Sequence, residues 1–172
     1  MITTLNEIRK HRPCTTSLEN GLAYLGKTQS DDEPIDLMTI LDVMGVADTV
    51  WCFRLFPGLD LREFALALAE TVAHLDRSGT AQLAINAGRA YLAGTGSLAA
   101  ARAARTAAWA AADDAAYAVA SAAAWAVAYD AATRAATRAA YAAYAAVSAA
   151  KGDPVLLAEQ RQLVEQFIKE NS

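Results

Sequence analysis

The sequence predicts an all-α fold, a compact multi-helix bundle with closely packed alanine-rich helices in its C-terminal half. In residues 97–150 more than half of the positions are alanine, the best helix former, and neither glycine nor proline occurs. Before this segment, large apolar residues recur three and four positions apart between glycine and proline stops. No stretch sustains an alternation of apolar and polar residues, so we expect no sheet.

Six short helices are predicted in the mixed-sequence part, residues 1–95, and each ends at a glycine, a proline or a polar turn. They span residues 5–12, 15–25, 35–44, 48–56, 60–77 and 80–93. Asp48 and Thr80 are candidate N-caps, because a short side-chain oxygen can accept a hydrogen bond from the first helical turn. Asp60 and Glu63 have the spacing of a capping box.

The alanine-rich segment, residues 97–150, would extend far beyond a compact domain if it formed a single helix. As a single rod it would be roughly 80 Å long at 1.5 Å per residue, whereas a domain of this size is about 40 Å across. We favour two or three helices that fold back on one another and pack through alanine faces, with breaks near Asp113 and Asp130. One long rod is the alternative, because no glycine or proline marks either break.

The last predicted helix, residues 154–170, is expected to close the core of a single domain that spans residues 1–172. One side of it carries its large apolar residues, which are Leu156, Leu157, Leu163, Val164, Phe167 and Ile168.

Charge and composition exclude several classes of protein. The chain has 15 lysines and arginines against 19 aspartates and glutamates, a net charge of −4, which argues against general nucleic-acid binding. Charged residues recur through residues 97–150, and each costs about 2.5–3.5 kcal/mol at a bilayer centre, so we expect no membrane span. The N-terminus lacks a basic stretch followed by an apolar run, which predicts a cytoplasmic location. Cys14 and Cys52 lack metal-site spacing and are expected to be buried free thiols.

Arginine and aromatic side chains supply the chemistry that alanine lacks. Trp51 and Arg54 lie three apart on one predicted helical face. In one interpretation Trp51 anchors the core while Arg54 caps the helix or pairs with Asp42 or Asp48; in the other, the indole and the guanidinium hold a base and a phosphate. The candidates for a ligand or partner site in the alanine-rich segment are Arg102, Arg105, Trp109, Trp125, Arg134, Arg138 and Tyr141. Arg134 and Arg138 also fit an ion-pair ladder with Asp130 on a solvated helix face.

No catalytic, metal-binding or cofactor-binding motif stands out in the sequence. His11 and His74 lie far apart and have no Cys or Asp at ligand spacing. Asp113 and Asp114 are typical of a helix cap, and there is neither a nucleophile elbow nor a P-loop. We therefore expect no enzyme activity, no metal and no cofactor.

Three short motifs carry a resemblance to a known family. Residues 5–14 read Leu-x-x-Ile-Arg-x-His-Arg-x-Cys, residues 45–54 read Gly-Val-Ala-Asp-Thr-Val-Trp-Cys-Phe-Arg, and residues 90–94 read Ala-Tyr-Leu-Ala-Gly before the alanine-rich tail. Together they resemble alanine-rich phage and prophage proteins related to the bacterial immunity-protein-like family. The resemblance covers most of the chain up to about residue 150. It implies an all-helical fold without known catalytic activity and supplies no binding motif.

Three functions follow as hypotheses. The first is a non-catalytic, phage-type counter-defence or immunity-like protein that binds and neutralises a host defence or toxin protein, in the host cell cytoplasm if the protein is phage-encoded. The second is a sponge that sequesters an anionic nucleotide signal, which the recurrence of arginine beside tryptophan or tyrosine favours. The third is a structural protein whose alanine-rich helices form assembly surfaces, which predicts a homo-oligomer.

Overall fold

The all-α class is confirmed, with one local correction. The structure is a computed structural model that describes residues 1–110, 150 and 152–172. Across these residues it has seven α-helices and a single two-stranded sheet, in which β1 (Ile2–Thr3) pairs antiparallel with β2 (Ile35–Asp36). The expectation of no sheet is therefore wrong at one place, because a ladder of two residues is too short to produce an alternating pattern.

The helices begin and end close to the predicted stops. They are α1 (Leu5–Lys10), α2 (Thr15–Tyr24), α3 (Leu37–Cys52), α4 (Arg62–Val72), α5 (Thr80–Leu92), α6 (Leu98–Ala110) and α7 (Pro154–Glu170). Short 3₁₀ turns at Phe53–Leu55 and Ala73–Leu75 continue α3 and α4. Side chains cap several starts: the Asp36 carboxylate accepts from the Met38 N–H at 3.0 Å, and the Asp153 carboxylate accepts from the Val155 N–H at 2.9 Å.

Helix α3 consists of two helices that meet at a kink at Gly45, where the sequence predicts a stop. Gly45 interrupts it with φ 82° and ψ −176°, a conformation that only glycine adopts readily. The break lies at the predicted stop, but the chain re-enters the helix at once, and the Thr49 hydroxyl donates to the Gly45 carbonyl at 2.8 Å. Asp48 therefore lies inside α3 and does not precede a new helix.

The start of α5 is capped by Asp76 in place of the predicted Thr80. The buried Asp76 carboxylate accepts from the Ala81 N–H at 2.7 Å and from the Ser78 N–H at 2.9 Å. Burial by itself raises the pKa of Asp76, but the hydrogen bonds from Ser78, Ala81 and Thr80 outweigh it and the pKa is lowered. This carboxylate stabilises the helix start without being adjacent to it.

The core lies where α7 packs across α3 and α4, as predicted for the last helix. Three aromatic rings meet at its centre: Phe53 lies edge-on to Phe64 with 5.3 Å between centroids, and Phe167 lies 5.0 Å from Phe53 and 4.6 Å from Phe64. Between the same two helices, the buried Gln160 amide on α7 donates to the Thr71 hydroxyl on α4 at 3.0 Å.

Helix α6 is the described part of the alanine-rich segment, and it packs against α5. Ser97 caps it as predicted, since its hydroxyl accepts from the Ala100 N–H at 3.1 Å. A Cβ at Gly96 would lie 2.9 Å from Ala90 Cβ, so the turn between the two helices requires glycine. The predicted breaks near Asp113 and Asp130 lie outside the described residues. None of the helices that are described is both long and apolar enough to cross a bilayer.

Candidate ligand-binding site

A cavity of about 310 Å³ separates α2 from α3, and we call it the α2–α3 cavity. Its walls are mostly hydrocarbon, with Leu18 and Leu25 on the α2 side facing Ile40, Val43 and Met44 on α3. Residues of α1 and β2 complete the wall. The volume is at the lower end of the range of small-molecule sites, roughly 300–1,000 Å³.

The cavity exists because α2 and α3 meet without filling the space between them. Helix α2 has no fully buried residue, although Leu18 and Leu22 face the core. Gly21 lies in the middle of this face, and a Cβ there would be 3.8 Å from the Met44 sulfur. Gly21 thus adds only backbone to the cavity wall, and a larger side chain there would enter the space between the helices.

One carboxylate, that of Asp48, lies in this apolar wall. Desolvation by burial raises the pKa of Asp48 above its ordinary value, and a hydrogen bond with the Ser17 side chain opposes the rise. Both residues line the cavity, Ser17 from α2 and Asp48 from α3. A partly desolvated carboxylate in a cleft marks a candidate functional site.

The two cysteines lie on the same cavity in different environments. Cys14 is exposed at the N-cap of α2, which corrects the expectation that both thiols are buried. Hydrogen bonding from Ser17 lowers the pKa of Cys14. Cys52 is buried, and desolvation together with the charge of Asp48 raises its pKa to about 12. Cys52 therefore presents a neutral thiol to the cavity at physiological pH.

Trp51 and Arg54 interact with each other, and Trp51 also lines the cavity. The Arg54 guanidinium carbon lies 4.2 Å from the centroid of the indole ring, and its Nε donates to the Trp51 carbonyl at 3.0 Å. Trp51 is partly buried and packs against the hydrophobic core, as the first interpretation predicts, and its exposed part borders the cavity. Asp42, one of the expected partners of Arg54, is bound by Arg161 from α7. Phe53, which is fully buried, takes the anchoring position.

Most candidates of the alanine-rich segment cannot be placed around a site. Arg102 is exposed on α6, and Arg105 and Trp109 belong to the same helix. Four further candidates lie outside the described residues, and they are Trp125, Arg134, Arg138 and Tyr141. The arginine-and-aromatic site therefore stays a prediction.

Asp48, Ser17 and Gly21 line the cavity but are not among the site residues that the sequence predicts. One signal was available, since Gly21 interrupts the apolar face of an otherwise regular amphipathic helix. Asp48 gave a misleading signal, because an aspartate three residues after a glycine fits a helix cap equally well.

Histidine and metal chemistry do not belong to this site. Neither histidine of the chain lines the cavity; His11 lies 3.4 Å from the Glu7 carboxylate, and His74 is exposed. Within residues 1–110, 150 and 152–172, no group of three or more His, Cys, Asp or Glu side chains is placed to hold a metal ion.

Comparisons with protein-family models, curated proteins and solved structures find no match for this chain. The resemblance to immunity-protein-like phage proteins thus stays a prediction, and the function is argued from the cavity.

Proposed function

We propose that this protein is a non-catalytic binding protein that holds a small organic molecule in the α2–α3 cavity. The observation that carries the proposal is a cavity of about 310 Å³ with hydrocarbon walls and one carboxylate. Such a combination of apolar shape and few polar groups is typical of small-molecule sites. Binding needs only these features.

The loose packing of α2 also supports this proposal. An apolar gap deprives its walls of van der Waals contacts, which costs stability. A ligand that fills the gap restores those contacts and stabilises the folded state by RT ln(1 + c/Kd), where c is the free ligand concentration. Helix α2, which has no fully buried residue, would gain most from an occupant.

The resemblance to phage proteins suggests a setting for this binding. We propose that the protein acts in the cytoplasm, that of the host cell if it is phage-encoded, and neutralises a component of a bacterial defence or toxin system by sequestering a small molecule. An anionic nucleotide fits the α2–α3 cavity poorly, because Asp48 would repel its phosphates in a partly desolvated site. A nucleotide site would have to use the arginines of the alanine-rich segment.

Mass spectrometry of molecules released by heating the purified protein tests the proposal. Gly21→Leu places a side chain in the cavity, and Ala23→Leu adds the same side chain at an exposed position of α2 outside it. We expect one organic species to be released from the wild type and from Ala23→Leu in a fixed ratio to protein, and little from Gly21→Leu.

Two outcomes would overturn the proposal. One is the release of equal amounts from all three proteins, which places the molecule elsewhere. The other is a stable complex with a host protein that all three variants form equally, with no small molecule bound, which makes a protein the partner and leaves the cavity without a role.

A further inference from the structure

We infer that the α2–α3 cavity binds an organic cation with an apolar body and a single protonated amine, and that Asp48 is its counterion. The inference rests on the proposed function and adds the chemical class of the ligand. Asp48 provides the carboxylate on α3, and hydrocarbon from both helices provides the wall around the rest of the molecule.

The first argument concerns the partners of Asp48. The Ser17 side chain opposes the rise in its pKa, but no lysine, arginine or histidine in the described part of the chain forms an ion pair with it. The other titratable groups in the cavity wall are the thiols of Cys14 and Cys52. A desolvated carboxylate is stabilised by an opposite charge at short range, and a ligand can supply that charge.

The second argument concerns the charge that the cavity excludes. A ligand anion would lie close to the Asp48 carboxylate, where two like charges repel strongly because the surroundings have a low dielectric constant. Cys52, the other buried titratable group in the wall, stays a neutral thiol and therefore leaves Asp48 as the charge that a ligand meets there.

The third argument concerns the number of polar groups on the ligand. The side chains of Leu18, Ile40 and Val43 offer no hydrogen-bond partner. The hydroxyl or amide groups of a very polar ligand would therefore lose their hydrogen bonds to water without replacement. One donor facing Asp48 and Ser17, with an apolar remainder, satisfies both the carboxylate and the walls.

Three probes of one shape test this inference: naphthylmethylamine, naphthylmethanol and naphthoate, which carry a cation, a neutral hydroxyl and an anion on the same ring system. Their affinities are measured by isothermal titration calorimetry at neutral pH with the wild type and Asp48→Asn. Glu19→Gln is the matched control, because Glu19 is exposed on α2 outside the cavity.

We expect the wild type and Glu19→Gln to bind the amine at least about tenfold more tightly than the alcohol, the gain of a charge-assisted hydrogen bond, and the anion most weakly. Asp48→Asn should lose the preference for the amine and keep its affinity for the alcohol, which also shows that the variant is folded.

The inference is overturned if the wild type binds the alcohol as tightly as the amine, or if Asp48→Asn keeps the preference; the proposed function then stands. If none of the three probes binds to the wild type, the proposed function fails as well.

Discussion

At the scale of single residues, Trp51 and Phe53 lie two positions apart in the chain and have different environments. Phe53 is completely buried and contacts the rings of Phe64 and Phe167. Trp51 is partly exposed, borders the cavity and is covered by the Arg54 guanidinium. The smaller aromatic side chain therefore anchors the core, and the larger one belongs to the candidate site.

Phe53→Ala is expected to lower the free energy of unfolding by about 3–5 kcal/mol, because it opens a cavity in a closely packed aromatic cluster. Trp51→Ala should cost less, since the indole is already partly hydrated and its stacking with Arg54 contributes only about 0.5–1 kcal/mol at an exposed site. Urea unfolding of both variants measures the two values. A larger loss for Trp51→Ala than for Phe53→Ala would contradict this assignment.

Asp48 is expected to weaken the fold that contains it. Burial raises the pKa of Asp48 in the folded chain, so the folded state holds this proton more tightly than the unfolded state does. The neutral carboxyl is the form that the folded state favours. The stabilisation from this proton is therefore fully present below the ordinary pKa of 3.8 and is lost as the pH rises through the raised folded value, which leaves a destabilising, partly buried charge at neutral pH.

Asp48→Asn should accordingly be more stable than the wild type at neutral pH, and the difference should shrink as the pH falls towards 3.8. Thermal unfolding over a pH series provides the measurement, with Glu19→Gln as the control that should follow the wild type. If Asp48→Asn is the less stable protein at neutral pH, the carboxylate serves the fold and its place in the site has to be reconsidered.

At the scale of elements, the break in α3 depends on one residue. Gly45 has a φ of 82°, and a Cβ added to it would meet no atom within 4 Å, so its requirement is conformational and not steric. Gly58 also has open space around it, but its φ lies outside the left-handed region. Comparing an alanine substitution at Gly45 with one at Gly58 therefore separates backbone strain from the effect of adding a methyl group.

Gly45→Ala is expected to reduce the free energy of unfolding by about 1–3 kcal/mol, because alanine is strained at this φ and ψ. Gly58→Ala should leave stability unchanged or raise it slightly, since it restricts the unfolded chain. Both follow from urea unfolding curves. Equal effects of the two substitutions would show that the kink in α3 does not need glycine.

Helix α2 is expected to open more often than α4. No residue of α2 is fully buried, whereas α4 buries Phe64, Leu66, Leu68 and Val72. Helices with few buried contacts unfold locally at a lower free-energy cost. Native-state hydrogen exchange should show faster exchange of amides in residues 15–24 than in residues 62–72. Equal protection of the two helices would mean that α2 is held as firmly as the core.

At the scale of the whole molecule, the fold could be predicted where local chemistry decides it. Pro13, Gly26 and Pro154 end or begin helices through their own backbone preferences, and these boundaries are confirmed. The β1–β2 pairing was missed because it depends on contact between segments far apart in the chain. The cap at α5 was missed because Asp76 reaches it across a turn.

The candidate site was less predictable than the fold. A cavity depends on how two helix faces meet, and helical spacing gives the faces without the distance between them. Spacing placed Trp51 and Arg54 together, which the structure confirms, but it could not show that Trp51 is only partly covered. Nor could it show that Asp48 turns towards α2.

The measurement that tests the central claim most directly is methyl NMR of the protein titrated with naphthylmethanol. We predict saturable shifts of the Leu18, Ile40 and Val43 methyl signals, which line the α2–α3 cavity, and unchanged signals from Leu68 and Val164 in the core. The same titration of Gly21→Leu should produce no saturable shift. A wild-type protein whose cavity methyls do not respond, or whose shifts centre on the core, would contradict the account.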